Sequence, residues 1–315
     1  MAYRSLISIL DLASEDVDKL LDTADSFLPR VTGGGFKDAT LEGVSALLLF
    51  YEPSTRTRVS FELAGKMLGL STINAGAKGS SAEKGESLID TAMTFSAMGF
   101  NIAVLRHPAE DAALLFAKHF EHAVINAGSG SGEHPTQALL DAMVLRSAGK
   151  LEPGKRIAIV GDIRHSRVAR SGLALFSARG MQVTLVAPPS LMPEGWRKKQ
   201  PAPAGVDWQT DLDAVLPEVD AVIMLRMQRE RMAGGYAGAT GGYAKLYALG
   251  SRRLGLLRDD ALILHPGPVN RGVEVSEEVF ADKRCRINEQ VSCGVAMRCA
   301  VLCWAAGRTP QGLDK

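Results

Sequence analysis

The chain has 315 residues, about two domains at the usual ~150 residues each. Apolar residues make up 46% and charged residues 23%, which excludes a disordered or collagen-like chain and lets sizeable cores form without disulfides or metals. With 36 Lys+Arg against 35 Asp+Glu the formal charge is +1, so a bulk electrostatic grip on nucleic acid is excluded and any anion site must be built locally.

Ser14 can cap a first helix, with Glu15 and Asp16 in the favourable first turn. Its apolar stripe is Val17, Leu20, Leu21, Ala24, Phe27 and Leu28, and Gly33-Gly34-Gly35 breaks it. Val44 to Tyr51, apolar at every position but Ser45, is suited to a strand buried on both faces. A polar turn leads into a helix with Phe61, Ala64, Gly65 and Leu68 on one side. Strands around Ile73, at Ile102 to Leu105 and at Ala123 to Asn126 alternate with helices around Leu88 to Met98 and Asp111 to His119. The rhythm repeats with strands at Arg156 to Val160, Val183 to Val186, Ala221 to Leu225 and Ala261 to Leu264, and a helix ending near Gly180.

Such alternation predicts an α/β fold of two doubly wound parallel-sheet domains. Thr136 to Ala148 reads as a connecting helix, and a last helix, about Glu289 to Ala306, returns to the first half. The expected division is 1–135 plus 289–315 for one domain and 150–288 for the other, with 136–149 connecting them. Right-handed crossovers put the loops after the strands along one edge, where ligands bind.

Cys285, Cys293, Cys299 and Cys303 form no Cys-x-x-Cys pair and lack His partners, so they read as small buried hydrophobes in a reducing compartment, with no metal site. The N-terminus lacks a signal peptide's apolar core, and no stretch approaches the ~18 apolar residues of a membrane span. The expectation is a cytoplasmic protein with no membrane or nucleic-acid partner.

The sharpest segment is Glu52-Pro53-Ser54-Thr55-Arg56-Thr57-Arg58, between a buried strand and a helix. Hydroxyls, guanidinium groups and backbone N–H groups at a helix start make a phosphate site. Without glycines and a Gly-Lys-Ser/Thr ending it is not a P-loop. Ser-Thr alone would read as an ordinary cap; two arginines on the same turn favour an anion. Ala77 to Ser87 is a polar, glycine-rich loop that alone reads as mobile surface. Arg106-His107-Pro108 and Gly132-Glu133-His134-Pro135-Thr136-Gln137 follow further strands. A lone His is most commonly a core or capping residue, but before Pro at a helix start His134 faces the same strand-end crevice as Ser54.

Together these segments closely resemble the transcarbamoylase family: the phosphate turn matches its Ser-Thr-Arg-Thr-Arg signature, and residues 134–137 match its His-Pro-x-Gln signature. Gly161 to Arg167, Leu225 to Arg231 and Leu264 to Gly272 resemble the aspartate-using branch. The His-Cys-Leu-Pro and Asp-x-x-x-Ser-Met-Gly segments of the ornithine branch are missing from the sequence.

The resemblance implies two domains linked by two helices, and transfer of a carbamoyl group from carbamoyl phosphate to the amine of L-aspartate, in pyrimidine biosynthesis, without a cofactor. It implies that Ser54, Thr55, Arg56 and Thr57 hold the phosphate and that Arg106 bridges phosphate and carbonyl oxygen. Thr57, Arg106 and His134 would stabilise the oxyanion, and Gln137 would hold the carbamoyl nitrogen. Ser80 and Lys84 would come from the neighbouring subunit of a homotrimer. Arg167, Arg226 and Gln228, assisted by Lys84, would bind the aspartate carboxylates, and backbone carbonyls near Gly267 and Pro268 would receive the amines. Glu52 would pair with Arg167 and Arg231 on domain closure, and Glu230 would orient Arg226. Gly267, with Val269-Asn270-Arg271-Gly272 after it, resembles bacterial forms that work alone or with a dihydroorotase-like partner more than those with zinc-bearing regulatory chains.

Three rival readings compete. A transcarbamoylase for another amine would leave Arg226 and Gln228 without the side-chain carboxylate. A non-catalytic scaffold or anion sensor would be expected to lose some of Arg56, Lys84, Arg106, His134, Arg167 and Arg226. An NAD-binding role fails because Val160-Gly161-Asp162-Ile163-Arg164 lacks the later glycines of the dinucleotide fingerprint.

Overall fold

A computed structural model describes residues 3–76, 85–193, 205–228 and 240–310. The chain divides into two compact units, Met1–Met143 with Val291–Lys315, and Val144–Gln290. Each is a parallel sheet flanked by helices, as the alternation of strands and helices predicts.

The first unit opens with α1 (Ser14–Thr32), whose stripe buries Val17, Leu20, Leu21, Ala24 and Phe27. Its N-cap is Ala13, which makes no side-chain cap bond, so Ser14 is the first helical residue instead of the cap. The strands are β1 (Ser45–Phe50), β2 (Ser71–Gly76), β3 (Ile102–His107) and β4 (Ala123–Ser129), in the order β2-β1-β3-β4. All pair in parallel. β1 is buried from Ala46 to Phe50, which is why those five residues are an unbroken apolar run. Leu47, Leu49, Ala103, Leu105, Phe116, Phe120 and Val124 share one core, with Phe116 on α4 (Ala112–Ala117). The helices α2 (Thr55–Met67) and α3 (Leu88–Ala97) follow the first two strands.

The second unit contains β5 (Arg156–Val160), α6 (Arg167–Ala178), β6 (Gln182–Val186), β7 (Val206–Gln209), α7 (Leu212–Val215), β8 (Ala221–Met224), α8 (Thr240–Tyr247), α9 (Ser251–Leu254), β9 (Leu262–Leu264) and α10 (Glu277–Ala281). Its sheet order is β7-β6-β5-β8-β9, again parallel throughout. β7, sequence Val-Asp-Trp-Gln, is half-exposed and carries no apolar run, so periodicity gives no sign of it. Two helices, α5 (Pro135–Ser147) and α11 (Ile287–Ala305), contain the points where one unit gives way to the other. Among the described residues, no helix is long and apolar enough to cross a membrane.

Cys293, Cys299 and Cys303 are buried along α11, whereas Cys285 is only partly covered. Burial pushes the Cys299 thiol up to about 12 and the Cys303 thiol further still. Thiolate is the reactive form, so both are held inert. Native protein treated with iodoacetamide at pH 8 is expected to label at Cys285 alone and slowly, because burial raises that thiol too. Peptide mass spectrometry showing Cys299 or Cys303 labelled before unfolding would contradict this packing.

Candidate active site

In each unit the strand order reverses at one place, and a doubly wound sheet leaves a crevice there, outside the carboxyl ends of the two adjoining strands. In the first unit the reversal lies between β1 and β3, and in the second between β5 and β8.

At the end of β1, Ser54 is the N-cap of α2 and its side chain makes no cap bond. The carbonyl of Ser54 accepts from Arg58 N–H at 3.1 Å, which fixes the first turn. The first-turn N–H groups of a helix have no intrahelical acceptor, and the helix dipole adds positive potential there. Thr57 is buried on this turn, while Thr55 and Arg56 are exposed.

At the end of β3 the Arg106 guanidinium is fixed from two sides. Its Nη1 donates to Ala127 O at 3.1 Å, and its Nε lies 3.5 Å from Glu52 Oε2. Glu52, which the resemblance pairs with Arg167 and Arg231 on domain closure, also lies next to Arg106 within the first unit. His107 has a different part: its ring meets Tyr51 edge-on at 4.9 Å, and its Nδ1 accepts from Ala109 N–H at 3.0 Å. Burial lowers its affinity for a proton.

His134, 5% exposed, directly precedes Pro135 at the start of α5. Its Nδ1 lies 3.5 Å from Thr136 Oγ1, and its carbonyl accepts from Gln137 N–H at 3.0 Å. The neighbouring Glu133 accepts from the Ser8 hydroxyl and, at 3.0 Å, from Ile9 N–H. That anchor ties the loop carrying His134 to the N-terminal segment. Gln137, also buried, donates from Nε2 to Asp141 Oδ1 at 3.0 Å.

In the second unit the chain leaves β5 at Gly161 with φ +129, a conformation that side chains rarely adopt. A Cβ there would stand 3.0 Å from the Tyr243 hydroxyl and 3.1 Å from Leu225 Cβ, so glycine lets the ends of β5 and β8 approach. Asp162 is fully buried beyond it. It accepts from His165 Nδ1 at 2.9 Å and from the Gln228 backbone N–H. Burial pushes this carboxyl above the usual carboxylate range, against the opposing pull of His165 and the Gln228 N–H. Ser166 caps α6 by accepting from Ala169 N–H at 3.2 Å, which makes the buried Arg167 the first helical residue.

Arg226 and Gln228 follow β8. Between them Met227 N–H donates to Glu274 Oε1 at 2.9 Å, and Glu274 also accepts from Asn270 N–H at 2.8 Å and Asn270 Nδ2 at 2.7 Å. This fully buried carboxylate therefore joins the loops after β8 and β9. In the latter, Gly267 N–H donates to His265 Nδ1 at 2.8 Å, and the Gly267–Pro268 peptide is cis.

The structure thus brings Ser54, Thr55, Arg56, Thr57, Arg106, His134 and Gln137 to the strand ends of the first unit. Arg167, Arg226, Gln228, Gly267 and Pro268 lie at the strand ends of the second. Ser80, Lys84, Glu230 and Arg231 lie outside the described residues. Glu133, Asp141 and Glu274 hold site loops or side chains and were not singled out in the sequence. An acid inside an apolar run, as in Val273-Glu274-Val275, is the signal that could have found the last.

The strand ends of the first unit carry hydroxyls, a helix N-terminus and guanidinium groups, chemistry that suits an anion such as phosphate; those of the second carry Arg167 and Arg226, whose guanidinium groups suit carboxylates. Residues 4–147 match the carbamoyl-P binding domain of aspartate/ornithine carbamoyltransferases, and residues 153–305 match their Asp/Orn binding domain. The aspartate carbamoyltransferase catalytic subunit of Rhodococcus jostii (strain RHA1) is 49% identical over 310 residues, covering 95% of this chain and 96% of that one. That of Mycobacterium tuberculosis (strain ATCC 25177 / H37Ra) is 48% identical over 312 residues, covering 96% and 95%. The crystal structure of aspartate transcarbamoylase from Trypanosoma cruzi with N-(phosphonacetyl)-L-aspartic acid superposes with a TM-score of 0.85 at 31% identity, covering 96% of this chain and 95% of that one. The same enzyme with carbamoyl aspartate and phosphate also gives 0.85, at 32% identity and the same coverage. The chain belongs to the aspartate/ornithine carbamoyltransferase family.

Proposed function

We infer that the chain is an aspartate carbamoyltransferase, transferring the carbamoyl group of carbamoyl phosphate to L-aspartate to give N-carbamoyl-L-aspartate and phosphate. The observation that carries this reading is the near-full-length identity to catalytic subunits of that name. The geometry supports it, because each strand-order reversal carries its own anion-binding set.

The chemistry follows from those sets. Ser54, Thr55, Arg56 and Thr57 hold the phosphate, while Arg106, Thr57 and His134 direct donors at the carbonyl oxygen. The aspartate amine attacks the carbonyl carbon, the developing oxyanion is stabilised by donors already in place, and the C–O bond to phosphate breaks, with the amine proton leaving on the departing phosphate. Arg167, Arg226 and Gln228 hold the two aspartate carboxylates, and the carbonyls of Gly267 and Pro268 accept from the amines. His134 serves as a donor to the oxygen, with the Thr136 hydroxyl 3.5 Å from its Nδ1. Reaction requires the two sets to meet over the substrates, with Glu52, Arg167 and Arg231 as the closing pairs and Glu230 orienting Arg226.

The working form we propose is a cytoplasmic homotrimer in pyrimidine biosynthesis, with Ser80 and Lys84 entering the neighbouring subunit's site. Val59 and Leu63 on α2 and Ile73 on the edge strand β2 are 50%, 40% and 53% exposed. A bond of 3.0 Å from Asn74 Nδ2 to Glu62 Oε2 brings these elements side by side. This apolar edge leads directly into the sequence that carries Ser80 and Lys84, so a subunit seated on it would receive them. Whether the chemistry requires a dihydroorotase-like or regulatory chain beside this trimer is read by assaying the chain alone, since product formed by it shows that none is required.

Purified chain given carbamoyl phosphate is expected to form carbamoyl-amino acid with L-aspartate and not with L-ornithine, read colorimetrically. Light scattering is expected to give the mass of a trimer. Silence with both amines from a folded trimer would overturn the catalytic reading.

A further inference from the structure

We propose that Asp141 is a positioning residue that sets which end of the Gln137 amide faces the substrate, with Arg298 as its counter-charge. This rests on the reading of Gln137 as the acceptor for the carbamoyl nitrogen.

The two ends of a glutamine amide are similar in size and opposite in hydrogen bonding. The groups that face carbamoyl phosphate in the proposed reaction are donors: Thr57, Arg106, His134 and the first turn of α2. The carbamoyl NH₂ is the substrate's own donor and needs an acceptor. A Gln137 turned the wrong way would set one NH₂ against another.

Asp141 removes that ambiguity. It lies one turn along α5 from Gln137, is fully buried, and accepts from Gln137 Nε2 at 3.0 Å. An ionised carboxylate can only accept, so the amide nitrogen is committed to it and Oε1 is left to the substrate.

A buried carboxylate needs a compensating charge. Arg298, on α11, is 4% exposed; burial lowers its hold on a proton to about 10, and the Asp141 charge opposes that. Its Nη1 donates to Gly294 O at 2.9 Å, and its guanidinium carbon lies 5.7 Å from the Phe61 ring centroid. A Cβ at Gly294 would stand 2.7 Å from Arg298 Nη1 and 3.6 Å from Cδ2 of Leu140, the residue before Asp141 on α5, so this glycine makes the room in which the guanidinium lies. The acid that orients Gln137 thus comes with a built cation on a neighbouring helix.

The test compares carbamoyl phosphate with acetyl phosphate, which carries a methyl group where the NH₂ would be. Asp141→Asn permits both amide orientations. It is expected to raise KM for carbamoyl phosphate about tenfold and leave the inhibition constant of acetyl phosphate within about twofold. The double variant D141N/R298M removes both buried charges and should give the same loss of discrimination if D141N alone unfolds. Gln137→Ala is the control for the underlying reading. If it leaves the preference for carbamoyl over acetyl phosphate intact, Gln137 does not hold the nitrogen and that reading fails. If Q137A loses the preference and a folded D141N or D141N/R298M keeps it, Asp141 does not orient the amide and the proposal falls. Failure of both Asp141 variants to fold would make Asp141 a core counter-ion only, and would equally overturn it.

Discussion

Replacing Arg106 with methionine is expected to lower kcat about a thousandfold, the upper end of what one oxyanion donor supplies. The reason is its placement at the strand-order reversal of the first unit, where Ala127 O and Glu52 hold the guanidinium before substrate arrives. Preorganisation of this kind means that no reorganisation is required as charge develops on the carbonyl oxygen. Arg106→Lys keeps the charge but loses the planar fork, so it cannot reach the Ala127 carbonyl, Glu52 and a ligand oxygen together. Its turnover should fall between those of wild type and the methionine variant. Stability should fall by only about 1–2 kcal/mol, the cost of leaving Glu52 and Ala127 O to find other partners. Steady-state kinetics beside thermal unfolding separate the two effects, and a folded R106M with kcat within tenfold of wild type would sink the assignment.

The strands were legible because parallel strands covered on both faces must be apolar throughout, and Ala46 to Tyr51 and Ile102 to Leu105 are. The edge strand β7 was not, because a half-exposed strand of four residues has neither an apolar run nor room for a convincing alternation. Ser14 misled for a related reason: a serine before an acidic turn is a good cap in sequence, yet the helix begins there, with Ala13 as its cap. Helix boundaries depend on backbone geometry that composition does not encode.

The residues proposed to meet phosphate stood out because hydroxyls and arginines crowded on one turn have few structural uses. Their supports did not, because a buried acid is distinguished only by what surrounds it. Glu133, Asp162 and Glu274 each join segments whose relation appears only in the fold, and Asp141, though one turn from Gln137, carries no mark in the sequence of the burial that gives it its part. Glu52 shows the same limit from the other side. Its contact with Arg106 appears only once β1 and β3 are known to pair, and says nothing against the pairs with Arg167 and Arg231 that the resemblance implies on closure.

Arg226→Ala is expected to raise KM for aspartate by about a hundredfold or more while leaving KM for carbamoyl phosphate within about twofold of wild type. A desolvated guanidinium–carboxylate pair is worth roughly 2–5 kcal/mol when one partner is removed. The effect should be confined to aspartate because the segment carrying Arg226 is held by its backbone. Met227 N–H is fixed by Glu274 and Gln228 N–H by Asp162, so truncating the Arg226 side chain leaves the loop in place. A carboxylate contact persists from ground state to transition state, so its loss should weigh on KM more than on kcat. Amine choice supplies the sharper check. In the wild type, L-alanine leaves the guanidinium without its side-chain carboxylate and should be a far poorer substrate than aspartate. In R226A that penalty is gone, and the preference for aspartate over alanine should collapse toward the residual contribution of Gln228. An unchanged preference would mean that another group reads the side-chain carboxylate. The loop after β8 would then have to be reassigned from binding aspartate to supporting the turn at Asp162.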